Sequence, residues 1–311
     1  MMLDINKLRN SRRYLSQVLT LVESDKPSDQ DKRIEILEQL PTSEQTTRIG
    51  ISGSPGVGKS TFIEAMGMHA VTQGHKVAVL AVDPSSPKTK GSILGDKTRM
   101  TKLSAHEQAY VRPSPSQCAL GGVARRTRES ILLFEAAGYD FIMIETVGVG
   151  QSEVDVANMT DLMTLLLPPV GGDSLQGMKK GILELADIIV VNKADGDLKK
   201  LAQSMQREYK QAFNLLAQET APEILTCSSI DGSGIHETYN AIHDFLTKAQ
   251  DSDAFTNKRR KQRELWFQSE LTDFVMTQFY KNTPQANLTK AIDSTLKDNQ
   301  LPNIAIKKYL T

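Results

Sequence analysis

The chain has little cysteine, no excess of either charge and no long apolar run. Its 311 residues include 37 basic and 37 acidic side chains, a balance that gives no electrostatic case for nucleic acid or an anionic membrane as the main partner. The N-terminus lacks a basic and then apolar signal segment, and no apolar stretch reaches the length of a membrane span. These absences predict a cytoplasmic protein with no nucleic-acid and no membrane partner.

The cysteines and histidines give no sign of a disulfide or a metal centre. The two cysteines, Cys118 and Cys227, are far apart and have no histidine or cysteine neighbour at metal-ligand spacing. The five histidines also stand alone along the chain: His69, His75, His106, His236 and His243. We interpret them as surface or locally hydrogen-bonded residues without a metal role.

A phosphate-binding loop is the most specific motif. Residues 53 to 60 read Gly-Ser-Pro-Gly-Val-Gly-Lys-Ser, which matches G-x-x-x-x-G-K-[ST] between a β-branched segment and a stretch of helical spacing. Such a loop wraps backbone N–H groups around the α- and β-phosphates, while its lysine reaches toward the β- and γ-phosphates. The alternative is a glycine-rich turn that caps a helix. The predicted phosphate-binding residues are Gly53, Ser54, Pro55, Gly56, Val57, Gly58, Lys59, Ser60 and Thr61.

A second motif, Asn192-Lys193-Ala194-Asp195, predicts that the base is guanine. The Asp195 carboxylate can accept hydrogen bonds from guanine N1 and from the exocyclic amine, a pattern that adenine cannot offer. We expect Asn192 to join this segment to the phosphate loop and Lys193 to lay its aliphatic stem along the base. Backbone N–H groups at Ser228, Ser229 and Ile230 are placed to contact guanine O6. The expected ligands are GTP and GDP.

Carboxylates at predicted strand ends point to a Mg²⁺ site. Asp83 ends one apolar strand, Asp96 follows in a turn-prone stretch, and Glu145 ends the strand Phe-Ile-Met-Ile-Glu. Together with the Ser60 hydroxyl they make an oxygen-rich set that suits Mg²⁺. The alternatives are an Asx-turn at Asp83 and a helix cap at Glu145.

The positions of the candidate catalytic residues predict slow GTP hydrolysis. Lys59 and Glu145 are expected to act on the phosphates and their metal ion. In small GTPases the water-positioning glutamine directly follows the motif glycine, but here two residues separate Gln151 from Gly148. We therefore expect slow intrinsic turnover that a partner or the glycine-rich segment 168–180 raises, with Lys179 or Lys180 bringing positive charge. The alternative is a mobile loop with solvated lysines.

The strand and helix pattern predicts an α/β fold of the P-loop NTPase type. Apolar strands at 47–52, 76–82, 140–144, 162–167, 187–191 and 223–227 alternate with helical stretches, which favours a mostly parallel sheet flanked by helices. Helical spacing at 8–23 and 31–40 precedes it. The predicted domains are a helical extension at 1–44, a GTPase domain at 45–247 and a C-terminal helical region at 248–311.

The C-terminal region contains a basic run and an apolar stripe. The basic run 258–261 is interpreted as a solvated face. Residues 265–280 carry an apolar stripe that must be buried, either on the nucleotide domain or on a second subunit. The sequence leaves both possibilities open.

Across residues 8–247 the chain resembles the MeaB, MMAA and ArgK family of GTPases, chaperones of cobalamin-dependent acyl-CoA mutases. The segments that carry the resemblance are 82–87, 91–100, 120–128, 145–153 and 175–177. The resemblance implies a homodimer that binds methylmalonyl-CoA mutase or a relative, gates adenosylcobalamin delivery with GTP and protects the mutase. It also implies switch segments near 83–100, 148–161 and 169–179, with Lys179 matching a lysine linked to mutase-stimulated hydrolysis. Ser174 departs from the acidic residue expected there.

Two other functions stay open. The Glu145 form of the metal motif is similar to that of nickel-inserting GTPases, although a His-rich tract or Cys-x-x-Cys pair is missing. A transport-linked ATPase or kinase is the other alternative, but the sequence suggests no general base or acceptor pocket for it.

Overall fold

Seven strands of the described residues form one sheet, and each strand pairing in it is parallel. The computed structural model describes residues 2–24, 26–41, 46–81, 100–113, 122–146, 152–169, 180–215 and 221–310. The strands are β1 (Thr47–Gly53), β2 (Val77–Ala81), β3 (Ala109–Pro113), β4 (Phe141–Glu145), β5 (Leu162–Leu167), β6 (Ile188–Val191) and β7 (Glu223–Thr226). Their order across the sheet is β3-β2-β4-β1-β5-β6-β7.

Helices precede, connect and follow these strands. They are α1 (Ile5–Asn10), α2 (Arg12–Val22), α3 (Gln30–Glu38), α4 (Lys59–Thr72), α5 (Thr101–Ala105), α6 (Gly122–Ala136), α7 (Ser152–Ala157), α8 (Lys180–Glu184), α9 (Lys199–Leu215), α10 (Ile235–Asp251), α11 (Ala254–Asn282), α12 (Gln285–Lys297) and α13 (Pro302–Tyr309). Among the described residues, no helix combines the length and apolarity that a membrane crossing requires.

The sheet is buried on both faces, which explains its near-continuous apolar strands. In β4, Phe141 and Met143 enter one core cluster together with residues of α4 and α10. Ile142 and Ile144 point the other way, into a cluster with residues of α1, α2, α3 and α6. Alternate residues of one strand thus fill two cores, as a covered parallel sheet requires. The predicted fold class is confirmed.

Parallel strands bring their carboxyl ends to one edge of the sheet. β1 ends at Gly53, where the phosphate loop begins, and β4 ends at Glu145. β6 runs directly into Asn192, and β7 into the segment at Ser228. The topology therefore gathers the phosphate, metal and base motifs on one side of the sheet.

The N-terminal helical stretch is broken at Ser11. The Ser11 side chain accepts a hydrogen bond from the Tyr14 backbone N–H and so caps α2, while its own backbone N–H donates to the Lys7 carbonyl at the end of α1. Apolar spacing continues through this point, so the periodicity predicted one helix over 8–23. The capping serine is the signal that separates the two helices.

The chain divides into two units, Met1–Arg259 and Arg260–Thr311. The division falls inside α11. In the second unit, the apolar stripe stays exposed in the single chain: Phe267 is 67% exposed, Leu271 49%, Phe274 61% and Val275 53%.

In the first unit, the interpretation of 258–261 as a solvated face is wrong for Arg259. Its side chain is buried, it donates to both oxygens of the buried Asp161 carboxylate at 2.9 and 2.8 Å, and it also donates to the Thr46 carbonyl. Lys258 donates to the Asp161 carbonyl at 2.7 Å. The first turns of α11 are thus fixed to the segments that lead into β1 and β5.

Candidate nucleotide site

The phosphate loop depends on glycine at two positions of close approach. Gly58, the N-cap of α4, has φ 98°, and a Cβ on it would lie 2.8 Å from the Asn192 Nδ2 atom. A Cβ on Gly53 would lie 2.6 Å from the Leu166 carbonyl oxygen. Any larger side chain would push the loop away from β5 or from the base motif. The loop tip at 54–56 is exposed, so a ligand can reach its backbone.

Lys59 places a positive charge inside this loop. Its side chain is almost fully buried, and its Nζ donates to the Gly53 carbonyl at 2.7 Å and to the Ser54 carbonyl at 3.4 Å. Burial lowers the Lys59 pKa, and the negative charges of Glu145 and Glu153 oppose that shift. An ammonium group among the N–H groups of the loop makes the site attractive to phosphate.

Ser60 and Glu145 meet where α4 begins and β4 ends. The Ser60 hydroxyl donates to Glu145 Oε1 at 3.3 Å. The next residue, Thr146, is buried and donates from its hydroxyl to the Ser52 hydroxyl at 3.0 Å, which ties the end of β4 to the end of β1. A hydroxyl and a carboxylate this close are ligand types that suit Mg²⁺. Within the described ranges no group of three histidine, cysteine, aspartate or glutamate residues could hold a metal ion alone.

Asn192 joins three segments of the site. Its Nδ2 donates to the Val57 carbonyl in the phosphate loop at 3.0 Å. Its Oδ1 accepts from the Ser229 hydroxyl at 2.7 Å and from the Ser229 backbone N–H at 3.3 Å. Because Asn192 is buried, these bonds are shielded from water and fix the phosphate loop and the segment after β7 against β6.

Lys193 and Asp195 flank this contact. Lys193 adopts φ 59° and donates from Nζ to the Gly56 carbonyl at 2.7 Å. The Asp195 carboxylate accepts from the Ser228 hydroxyl at 2.7 Å, and that hydroxyl in turn accepts from the Asp231 backbone N–H. Ile230 lies at the outer end of this segment and is 80% exposed. The structure therefore brings the predicted base-reading residues together beside the phosphate loop.

Four predicted site residues lie outside the described residues: Asp83, Asp96, Gln151 and Lys179. Their roles, and that of Ser174, stay predictions. Conversely, sequence reasoning did not single out the buried hydroxyl pair of Ser52 and Thr146. The only signal for it is a polar residue at the end of each of two apolar strands.

A family model described as "Methylmalonyl Co-A mutase-associated GTPase MeaB" matches residues 15–284. The chain belongs to the MeaB family. It is accordingly a GTPase that binds guanine nucleotide through a P-loop, and the predicted resemblance is confirmed.

Relatives of this MeaB-family chain are similar over most of its length. A protein of Mycobacterium tuberculosis named "Probable GTPase" is 46% identical over 304 residues, which cover 96% of this chain and 90% of that protein. The mouse "Methylmalonic aciduria type A homolog, mitochondrial" is 43% identical over 286 residues, covering 88% and 69%. A crystal structure named "LAO/AO transport system kinase" has a TM-score of 0.78 and 35% identity, and covers 99% of this chain and 98% of that one.

Proposed function

We propose that this GTPase is a chaperone of a cobalamin-dependent acyl-CoA mutase, methylmalonyl-CoA mutase or a relative. It uses GTP binding and hydrolysis to gate adenosylcobalamin delivery and to protect or reactivate the mutase. The family match over residues 15–284 carries the proposal, because its description names the mutase association. The mouse relative, named for methylmalonic aciduria, is consistent with it.

In this proposal the described site binds and orients GTP. Asp195 accepts hydrogen bonds from the guanine edge, the backbone after β7 contacts guanine O6, and Asn192 couples that region to the phosphate loop through Val57. Lys59 stabilises negative charge that develops on the phosphates during hydrolysis. Base recognition and phosphate binding are therefore linked by buried hydrogen bonds.

Mg²⁺ belongs to the proposal as a resident ion. The Ser60 hydroxyl and the Glu145 carboxylate fit it, since both are oxygen donors and they meet at 3.3 Å. Asp83 and Asp96 are proposed to complete the oxygen-rich surroundings. When bound, Mg²⁺ neutralises charge on the β- and γ-phosphates.

The output of the switch is a change in partner binding. We propose that segments 83–100, 148–161 and 169–179 respond to the γ-phosphate, with Gln151 and Lys179 contributing to hydrolysis once the mutase is bound. Slow turnover without the partner then keeps GTP bound long enough for the mutase to bind the GTP state of the protein.

We further propose that the protein is a cytoplasmic homodimer. The C-terminal region 248–311 is the proposed dimerisation arm beside a GTPase domain at 45–247 and an extension at 1–44. Support comes from the apolar stripe of α11, whose Phe267 and Phe274 are 67% and 61% exposed in the single chain.

Complex formation with purified methylmalonyl-CoA mutase tests the proposed partner. The two proteins are mixed with GDP or with a non-hydrolysable GTP analogue and analysed by size-exclusion chromatography with light scattering. We expect a complex whose affinity differs between the two nucleotides, and the mass of the free protein reports the dimer. Absence of a complex in both nucleotide states would contradict the chaperone role.

A further inference from the structure

Two histidines that stand apart in the sequence meet on the surface of the first unit. His69 lies in the last turn of α4 and His236 in the first turn of α10, 167 positions later, and their ring nitrogens Nε2 and Nδ1 are 3.5 Å apart. The pair fits the interpretation of surface or locally hydrogen-bonded histidines, and it adds a contact that the sequence does not show. His69 is partly exposed and His236 is exposed, so solvent ions can reach them.

The separation of the two nitrogens suits a shared metal ion. Zn²⁺ binds imidazole nitrogen at about 2.0–2.1 Å and prefers a tetrahedral arrangement, which places two ligand nitrogens roughly 3.3 Å apart. A 3.5 Å pair needs little movement to reach that distance. Imidazole is a preferred ligand of the late first-row divalent ions, whereas Mg²⁺ prefers oxygen. The pair therefore differs in metal preference from the proposed Mg²⁺ residues.

Both rings are oriented by neighbours. The Asn240 side-chain amide lies 3.1 Å from His236 Nε2. With Nδ1 bound to an ion, Nε2 carries the hydrogen and can donate to the Asn240 amide oxygen once that amide is turned. The Tyr239 ring packs edge-on against His69, with ring centroids 5.1 Å apart. A second partner on a ligating histidine is the usual way in which a protein fixes its tautomer and orientation.

We propose that His69 and His236 form a binding site for a late first-row divalent cation of the Zn²⁺ type. No third histidine, cysteine or carboxylate joins them in the described part of the chain, so water fills the other positions and the ion exchanges readily. The site links α4, which begins at the phosphate loop, to α10, which begins just after the base-reading segment. It goes beyond the proposed mutase function.

Zn²⁺ titration of the full chain tests the site. Nucleotide-free protein in excess Mg²⁺ is titrated with ZnCl₂ by calorimetry, and the histidine ring signals are followed by NMR. We expect one saturable site, with the His69 and His236 signals shifting first. His69→Asn and His236→Asn should each weaken binding about tenfold or more, since even loss of an outer hydrogen-bond partner costs that much.

His243→Asn is the matched control, because His243 is exposed on the same helix and its nearest ion partner is Asp244 at 3.9 Å. This variant should bind Zn²⁺ as the unsubstituted chain does. The proposal is overturned if the unsubstituted chain has no saturable site, if both His69→Asn and His236→Asn keep its affinity, or if His243→Asn loses affinity equally. In those cases the pair is only an N–H···N hydrogen bond between two helices.

Discussion

At the scale of single residues, the nucleotide site is built from side chains that are distant in sequence and linked by short hydrogen bonds. Asn192 contacts Val57 of the phosphate loop and Ser229 of the segment after β7. Asp195 contacts Ser228 in that same segment. Because these groups are buried or half-buried, each bond contributes more than it would in water. A substitution in the base motif should therefore also affect the packing of the phosphate loop.

Asp195→Asn should change the base preference of the site from guanine to xanthine. The carboxylate accepts two hydrogen bonds from guanine in the proposed mode, and an amide cannot accept both, whereas it can pair with the xanthine edge. Loss of hydrogen bonds to a charged group should weaken GTP binding roughly 100-fold. Competition of GTP, XTP and ATP for the site, followed by fluorescence of a labelled nucleotide, measures the change. An unchanged ratio of GTP to XTP affinity would show that Asp195 does not read the base.

Gly58→Ala should lower both GTP turnover and the stability of the fold, whereas Gly74→Ala should lower only the stability. Both glycines have positive φ, 98° and 96°, but only the Cβ at Gly58 meets a neighbour, Asn192 Nδ2, while nothing lies within 4 Å at Gly74. Each change should lower the free energy of unfolding by about 1–3 kcal/mol. Only Gly58→Ala should also reduce GTP turnover, by about tenfold or more. Chemical denaturation and turnover assays compare the two, and equal turnover would contradict the role assigned to the loop packing.

The sequence could supply the identity of these residues but not all of their contacts. The phosphate and base motifs have fixed spacing, so their neighbours can be inferred from chemistry that every GTP site shares. The Ser52 and Thr146 contact has no such pattern, because it arises only when β1 and β4 become adjacent. The meeting of His69 with His236 likewise depends on how α4 packs against α10.

At the scale of elements, burial decides what can be predicted. The strand 162–167 was predicted with the bounds that it has, since all six of its residues are apolar or buried threonine. The sequence does not predict β3, because Arg112 and Pro113 interrupt its apolar run directly after Val111. Arg112 instead pairs with the buried Glu23 at 2.6 Å.

Arg259→Ala should strongly destabilise the first unit. The Arg259 and Asp161 side chains are 10% and 1% exposed, and their ion pair measures 2.8 Å. Removing one partner of a buried pair leaves an uncompensated charge, at a cost of about 3–5 kcal/mol. The exposed neighbour Arg260 is the control, and Arg260→Ala should change stability by no more than about 0.5 kcal/mol. Urea denaturation of both variants tests this, and equal stability of the two would show that the contact contributes little.

At the scale of the whole molecule, the fold explains why the protein binds a nucleotide but does not explain which partner protein it binds. A parallel sheet with its motifs at the carboxyl edge supports any P-loop activity, and fold alone does not fix function. The family match over 15–284 narrows this to a GTPase of the MeaB family, and the association with a mutase is the proposed function. Two residues separate Gln151 from the motif glycine Gly148 in the sequence. This spacing predicts that the rate of hydrolysis depends on a partner.

GTP turnover with and without methylmalonyl-CoA mutase tests that central claim most directly. Phosphate release is measured for the full chain with Mg²⁺ and GTP, then with increasing mutase, and again with ATP. The account predicts slow turnover of GTP alone, a rise of about tenfold or more that saturates with the mutase, and little turnover of ATP. A rate that the mutase leaves unchanged would contradict the account.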